Sequence, residues 1–348
     1  MVLVNTDYIS GQELEMLGMV KGSTIQCKNI GRDLGASFKN LVGGEMKMCI
    51  RDSLKCTDAE ENTEMILVWL FVAAAILFGL LGLSLYMLRP ETEKTRSFAA
   101  FDHTMIAHRG LFDNHSEAPE NSLAAFRKAV DQGFGIELDV QLTKDGKLVV
   151  FHDFDLKRMC GIHKKLTELT YAELEQYSLK GSTEKIPLFS AVLDLIAGRT
   201  PLVVEIKVGY DYKATTEAAA EMLSQYSGVY CMECFNPLAL VWYRRHNPKV
   251  LRGQLSMDFF HSEDKMPKIV RFFLTNLLLN FCAKPDFISY NHKDRHIRGF
   301  RMCRKLFKVK TAAWTIKSQA ELEAARGTFD MFIFDSFLPE EGEKVRLS

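Results

Sequence analysis

The sequence has no excess of charge of either sign: Lys+Arg and Asp+Glu both number 44 among its 348 residues. No global basic field therefore speaks for nucleic acid, and none is expected as a partner. A disulfide framework is missing too. The 8 cysteines are scattered along a chain of this length, which suits a reduced compartment better than a small stapled scaffold. One pair, Cys231 and Cys234, has redox-like spacing. It lies in the strand-like run Val229 to Phe235, where residues three apart face opposite ways, and no second Cys or His pair with zinc spacing lies nearby. A glycine-rich phosphate loop is also lacking. The length allows one large domain with additions.

The longest gap in charge is itself informative. Ile66 to Leu88 holds no charged residue and is bounded by Glu64 and Arg89. Those 23 residues are long enough, as a helix, to cross the hydrocarbon core of a membrane. Trp69 and Tyr86 stand near its two ends, where interfacial aromatics belong. A cleaved signal peptide is the rival reading, but the run is long and lacks a basic segment before it. Arg89, Lys94 and Arg96 follow it. With a native start near Met65 nothing basic precedes it, and the positive-inside rule leaves the carboxy-terminal domain in the cytoplasm of a single-pass cell-membrane protein. With Arg51 and Lys55 native, the contrast narrows to three against two. Residues 89–102 read as a short polar linker.

From there strand and helix patterns alternate. Strands are expected at Met105–His108, Ile136–Leu142, Leu148–His152, Leu202–Val208, Val229–Phe235, Val250–Leu255, Phe287–Tyr290, Thr311–Thr315 and Met331–Phe334. Helices are expected at Glu120–Gln132, Phe189–Ile196 and Thr215–Tyr226, with a helical insertion at Leu166–Leu179 opened by a Thr170-x-x-Glu173 capping box. Repeated βα units predict a parallel sheet, and residues 103–340 are of barrel size. A barrel gathers its site at the carboxyl ends of its strands. Glu137 and Asp139, two apart on a strand, share a face; Glu205 offers a third carboxylate at another strand end. Three such oxygens suit a hard cation, Ca²⁺ or Mg²⁺, and His108 and His152 would flank it as general acid and base. Arg109 offers a bidentate fork to phosphate, and Lys207 shares a face with Glu205. Trp314, closing a late strand, is a candidate wall for a ligand pocket; Glu120 is a further candidate, and Asn121 equally suits a helix N-cap.

In order, His108-Arg109-Gly110, Pro119-Glu120-Asn121, Glu137-x-Asp139-Val140, Thr143-x-Asp145-Gly146, His152-Asp153 and Glu205-x-Lys207 resemble the glycerophosphodiester phosphodiesterase family, over roughly Thr104 to Pro339. Within it the chain resembles bacterial members that carry one amino-terminal membrane anchor. The resemblance implies a metal-dependent (β/α)8 TIM barrel that cleaves a glycerophosphodiester into glycerol 3-phosphate and an alcohol. It places Glu137, Asp139 and Glu205 at the metal, His108 and His152 at proton transfer, and Arg109, Lys207, Trp314 and Glu120 at the substrate. The leaving group is open: choline, ethanolamine, a lipid or a teichoic-acid-like polymer. A catalytically silent, membrane-tethered binding module would need a damaged metal or histidine set, and the set is intact.

Residues 1–47 resemble the first half of a YbjQ-type domain, a small α/β fold with a proposed metal-binding role, through Thr24-Ile25-Gln26-Cys27, Asn29-Ile30-Gly31-Arg32-Asp33 and Leu41-Val42-Gly43-Gly44-Glu45. Met48-Cys49-Ile50-Arg51-Asp52-Ser53 is what the mosaic end of a library-preparation transposon encodes. Residues 1–53 are therefore expected to be an artefactual fusion, with a genuine truncated accessory domain as the competing reading. Met266 to Pro285 is the most apolar run outside the span. It is expected to pack on the barrel through Ile269, Phe272, Phe273, Leu277 and Phe281; an interfacial helix whose outer surface includes Leu274 and Leu278 is the alternative.

Overall fold

The computed structural model describes residues 50–91, 97–209, 211–262 and 266–340, with side chains from Met65 onward. The YbjQ-like stretch 1–47 lies outside the described residues. The chain divides into two compact units, Met1–Ala75 and Ile76–Ser348. Helix α1 (Ile50–Leu88) continues across the division. Its segment Met65–Leu88 is long and apolar enough to cross a membrane. The helix begins well before the apolar run, and Leu54 to Met65 allows this because it includes three Glu and contains neither Gly nor Pro.

In the second unit nine strands and ten further helices follow among the described residues: β1 (Met105–His108), α2 (Leu123–Asp131), β2 (Gly135–Leu142), β3 (Leu148–Val150), α3 (Lys157–Cys160), α4 (Tyr171–Leu174), α5 (Phe189–Ile196), β4 (Leu202–Ile206), α6 (Tyr212–Ser224), β5 (Tyr230–Cys234), α7 (Pro237–His246), β6 (Leu251–Ser256), α8 (Lys268–Thr275), α9 (Asn280–Ala283), β7 (Phe287–Asn291), α10 (Arg298–Phe307), β8 (Lys310–Ile316), α11 (Gln319–Arg326) and β9 (Met331–Phe334). Eight of the strands are parallel, and β1 pairs with both β2 and β9, closing the barrel. This is the parallel sheet expected from the βα alternation, closed into the (β/α)8 barrel that the resemblance implied. The remaining strand, β3, is antiparallel to β2 and belongs to the small insertion, not the barrel.

The insertion is less helical than its sequence suggests. Leu166–Leu179 contains one 3₁₀ turn, Leu166–Glu168, and the four-residue α4, capped as expected by Thr170 and Glu173. It is held by its own apolar cluster, with Val149, Phe151, Leu156, Met159, Leu166 and Leu174 buried. The amino-terminal end of the barrel is filled by Phe101, Ile106, Val203, Cys231, Phe287 and Met331. Gly253 makes room there: a Cβ on it would sit 2.2 Å from the Phe287 ring. Burying that ring contributes about 1.5–3 kcal/mol. Cys231 faces this interior while Cys234 packs in the outer cluster, and both thiols are free, as opposite-facing strand positions require.

Two expectations need correction. Helix α2 starts at Leu123, not Glu120, because Ser122 is its cap, accepting from the Ala125 amide at 3.1 Å. Asn121 is thereby released for another task. In Met266–Pro285, Leu277 is buried, but Ile269, Val270 and Phe272 are 63%, 39% and 47% exposed. The run breaks into α8 and α9 around Leu277, whose φ of 59 no helix interior adopts. The inward stripe therefore does not continue through Ile269 and Phe272, and these with Val270, not Leu274 and Leu278, carry the exposed apolar surface.

Candidate active site

The strand ladder brings the acids together. Asp139 on β2 is beside Glu205 on β4, and Glu205 is beside Glu233 on β5, so three carboxylates form a row across neighbouring strands. Glu137, one inward-facing position earlier, is level with His108 on β1. One oxygen from each of Glu137, Asp139 and Glu205 lies within 4.8 Å of the others, and all three residues are buried. Burial, then repulsion from Asp139, Glu205 and Glu233, holds the Glu137 carboxyl well above its ordinary range. Burial also raises Glu205 against the pull of Lys207, and together with the Glu205 charge it brings Glu233 to about 8. At Asp139 burial is outweighed by the charges of Lys207, His152 and Arg109, and the carboxyl is held low. Crowded carboxylates of this kind resist ionising together. An all-oxygen donor set short of positive charge fits a hard divalent cation.

Lys207 Nζ sits among these acids, 2.7 Å from Glu205 Oε1 and 3.0 Å from Asp139 Oδ1. Asn121, freed from capping, donates its amide to Asp139 Oδ2 at 2.9 Å. Arg109 adopts a left-handed backbone, φ 57, which turns its N–H onto Glu137 Oε2 at 3.0 Å. Gly110 follows at φ 82, with a Cβ-to-Ala125 distance of only 2.9 Å if one were added. The His-Arg-Gly motif is thus a turn that presents a backbone donor to a buried acid. The Arg109 guanidinium reaches Glu120 Oε1 at 2.6 Å and approaches Asp139 Oδ2 at 3.4 Å.

Each histidine is held through Nδ1. His108 Nδ1 lies 2.9 Å from Asp335 Oδ2, and its Nε2 lies 3.9 Å from Glu137 Oε2. Burial and the Arg109 charge lower the His108 pKa, against the pull of Asp335. His152 Nδ1 lies 2.7 Å from Asp153 Oδ1. The Gln141 amide fixes this corner by donating to the carbonyls of Phe151, His152 and Asp153 at 2.7, 3.2 and 2.9 Å. From α3, Arg158 clamps both Asp153, at 2.7 and 2.9 Å, and Glu120, at 2.8 and 2.7 Å. Burial pushes the Glu120 carboxyl up, but Arg158, Arg109 and Asn114 prevail and bring it to about 2.

A cavity of about 210 Å³ is lined by His108, Arg109, Glu137, His152, Glu205, Lys207 and Trp314. Trp314 meets Phe235 edge-on at 5.6 Å, and its buried indole N–H has no partner among the described residues. Of the residues singled out from sequence for this site, Asp139, Asn121 and Glu120 do not line this space: Asn121 is bonded to Asp139, and Glu120 is engaged by Arg109, Arg158 and Asn114. A larger cavity, about 950 Å³, lies by the amino-terminal ends of β5 and β6, away from these groups. Sequence reasoning missed Glu233, Asp335 and Arg158. Glu233 had a signal, being two residues after the inward-facing Cys231. Asp335 directly follows the last strand. Nothing in the sequence marks Arg158.

The model of the glycerophosphoryl diester phosphodiesterase family matches residues 108–335. A glycerophosphodiester phosphodiesterase of Bacillus altitudinis is 32% identical over 179 residues, 48% of this chain and 71% of that one. A solved phosphodiesterase of Oleispira antarctica, in complex with the product sn-glycerol-3-phosphate, superposes with a TM-score of 0.55 at 25% identity, covering 69% of this chain and 96% of that one. A second family model, YbjQ-type and proposed to bind heavy metals, matches residues 1–57. There, a UPF0145 protein of Clostridium novyi (strain NT) is 62% identical over 47 residues, 14% of this chain and 46% of that one.

Proposed function

Since the chain belongs to the glycerophosphoryl diester phosphodiesterase family, we propose that it is a membrane-anchored, metal-dependent enzyme that hydrolyses glycerophosphodiesters to glycerol 3-phosphate and an alcohol. The observation that carries this reading is a cluster of three buried carboxylates within 4.8 Å of one another, two of which, Glu137 and Glu205, line one cavity with two Asp-held histidines. Glu137, Asp139 and Glu205 would hold Ca²⁺ or Mg²⁺, which when bound polarises a phosphoryl oxygen and acidifies a nucleophilic hydroxyl.

The chain's own groups do the rest. With Nδ1 of each histidine committed to an aspartate, Nε2 is the nitrogen left for proton transfer. The lowered basicity of His108 supports its starting neutral, as the acceptor of the nucleophile's proton; His152 then donates to the leaving oxygen. Arg109 and Lys207 supply fixed positive charge toward the phosphoryl group. Trp314 and Phe235 wall the glycerol, with the unpartnered indole N–H available to one of its hydroxyls. Glu120 holds Arg109 in place and does not touch substrate.

Met65–Leu88 supports a single-pass anchor, and Arg89, Lys94 and Arg96 after it support a cytoplasmic catalytic domain spanning residues 103–340. A substrate carried in or near the membrane, such as a lipid-borne diester, is consistent with that placement. Residues 1–53 we take as a fused segment foreign to the enzyme. The reading is tested by product analysis: the full chain in detergent, given glycerophosphocholine, is expected to release glycerol 3-phosphate and choline. Release of phosphocholine and glycerol would place the scissile bond on the other side of phosphorus and contradict it.

A further inference from the structure

Arg295 to Lys308 contains six Arg or Lys residues and no Asp or Glu. Arg298, Arg301, Lys305 and Lys308 are exposed, and none of the six forms an ion pair among the described residues. A solvated charged face is the ordinary outcome for such a helix, but two features set this one apart. Arg301, Arg304 and Lys305 of this helix, with Arg295 and His296 just before it, wall a cavity of about 300 Å³, a size and charge suited to a phosphate-bearing headgroup. The same helix also meets the end of the apolar span. Buried Cys303 of α10 lies 3.5 Å from the Leu88 carbonyl, which accepts from Asn280 of α9 at 3.2 Å, while Tyr86 packs on Phe281 at 5.5 Å. Helix α8 reaches the same corner: Gly299 of α10 sits so close to Asn276 that a Cβ would lie 2.3 Å from its carbonyl. Exposed Ile269, Val270 and Phe272 therefore belong to the element next to the basic helix.

We propose that α10 is a docking surface for anionic phospholipid headgroups, which holds the barrel against the bilayer while the exposed apolar side chains of α8 enter the interface beside it. This rests on the anchor reading: the span's last turn delivers α9 and α10 to the membrane surface, where cations gain from anionic lipid and exposed apolar groups leave water. Neutral headgroups offer the cations nothing comparable, so docking depends on lipid charge.

The test reconstitutes the full chain in nanodiscs of phosphatidylcholine alone and of phosphatidylcholine with phosphatidylglycerol, and follows amide hydrogen exchange in each and in neutral detergent. Exchange in 268–275 and 298–307 is expected to slow in the anionic discs only. In the variant Arg298→Gln/Arg301→Gln/Lys305→Gln docking is expected to weaken by roughly 10²-fold, at about one kcal/mol per cation, with its melting temperature in detergent unchanged. Phe272→Glu, which leaves the cations in place, is expected to lose the slowing of 268–275. Equal exchange in anionic and neutral discs, with the chain incorporated in both, overturns the proposal and leaves the anchor intact. A chain that enters neither disc removes the anchor and the proposal with it. Slowing by a single-stranded RNA oligomer but not by anionic lipid would assign the surface to nucleic acid and likewise overturn it.

Discussion

Glu120 sits between two arginines, Arg109 and Arg158, and its carboxyl is brought down to about 2. A folded-state pKa below the ordinary value means stability that is full above about pH 4.5 and lost as pH falls through about 2. Glu120→Gln is therefore expected to cost about 3 kcal/mol at pH 7, with the gap to the parent closing as the medium is acidified. Denaturant unfolding across pH reads this directly; a gap that stays constant down to pH 2 would show that the residue acts by shape alone. His108→Ala and His152→Ala are each expected to lower turnover by ~10²–10⁴-fold while calorimetric metal binding persists. Near-parental turnover in either variant would make that histidine structural. The Glu137 and Asp139 pair was legible in the sequence because strand periodicity puts i and i+2 on one face. Glu205, His108 and His152 stood out as strand-end residues and joined the pair through the family resemblance. Asp335, 227 residues from His108 in sequence, becomes its partner only when β9 closes on β1, a contact no local pattern encodes.

At the scale of elements, the four-residue α3 does more than its size suggests. Through Arg158 it ties Asp153, and hence His152, to Glu120 and Arg109 on the other side of the cavity. Arg158→Ala is expected to lower kcat by roughly 10-fold or more by loosening the histidine, with KM and metal affinity nearly unchanged. Arg158→Lys, which keeps the charge but not the fork, is expected to recover only part of it. A change confined to KM would move Arg158 to substrate binding. The barrel strands were readable from their apolar runs. The insertion was not: its backbone is held by turns and by the private cluster around Phe151 and Leu166, which leave little helical periodicity. The misassigned inner face of α8 has the same origin, because a turn at Leu277 resets the helical phase that the sequence stripe assumes.

For the molecule as a whole, the apolar span, the barrel and the amino-terminal segment make separate claims. Deleting residues 1–53 is expected to leave turnover and melting temperature unchanged, since a match to 46% of a relative's length supplies no complete core. A clear loss of either would show that the segment belongs. The central claim is that Glu137, Asp139 and Glu205 hold a divalent cation on which hydrolysis depends, and metal titration of the chelated full chain tests it most directly. Glycerol 3-phosphate release is predicted to vanish after chelation and to return in proportion to the Ca²⁺ or Mg²⁺ bound by calorimetry, with Glu205→Gln losing both binding and turnover. Full turnover in the chelated protein, or parental metal affinity in Glu205→Gln, would contradict it.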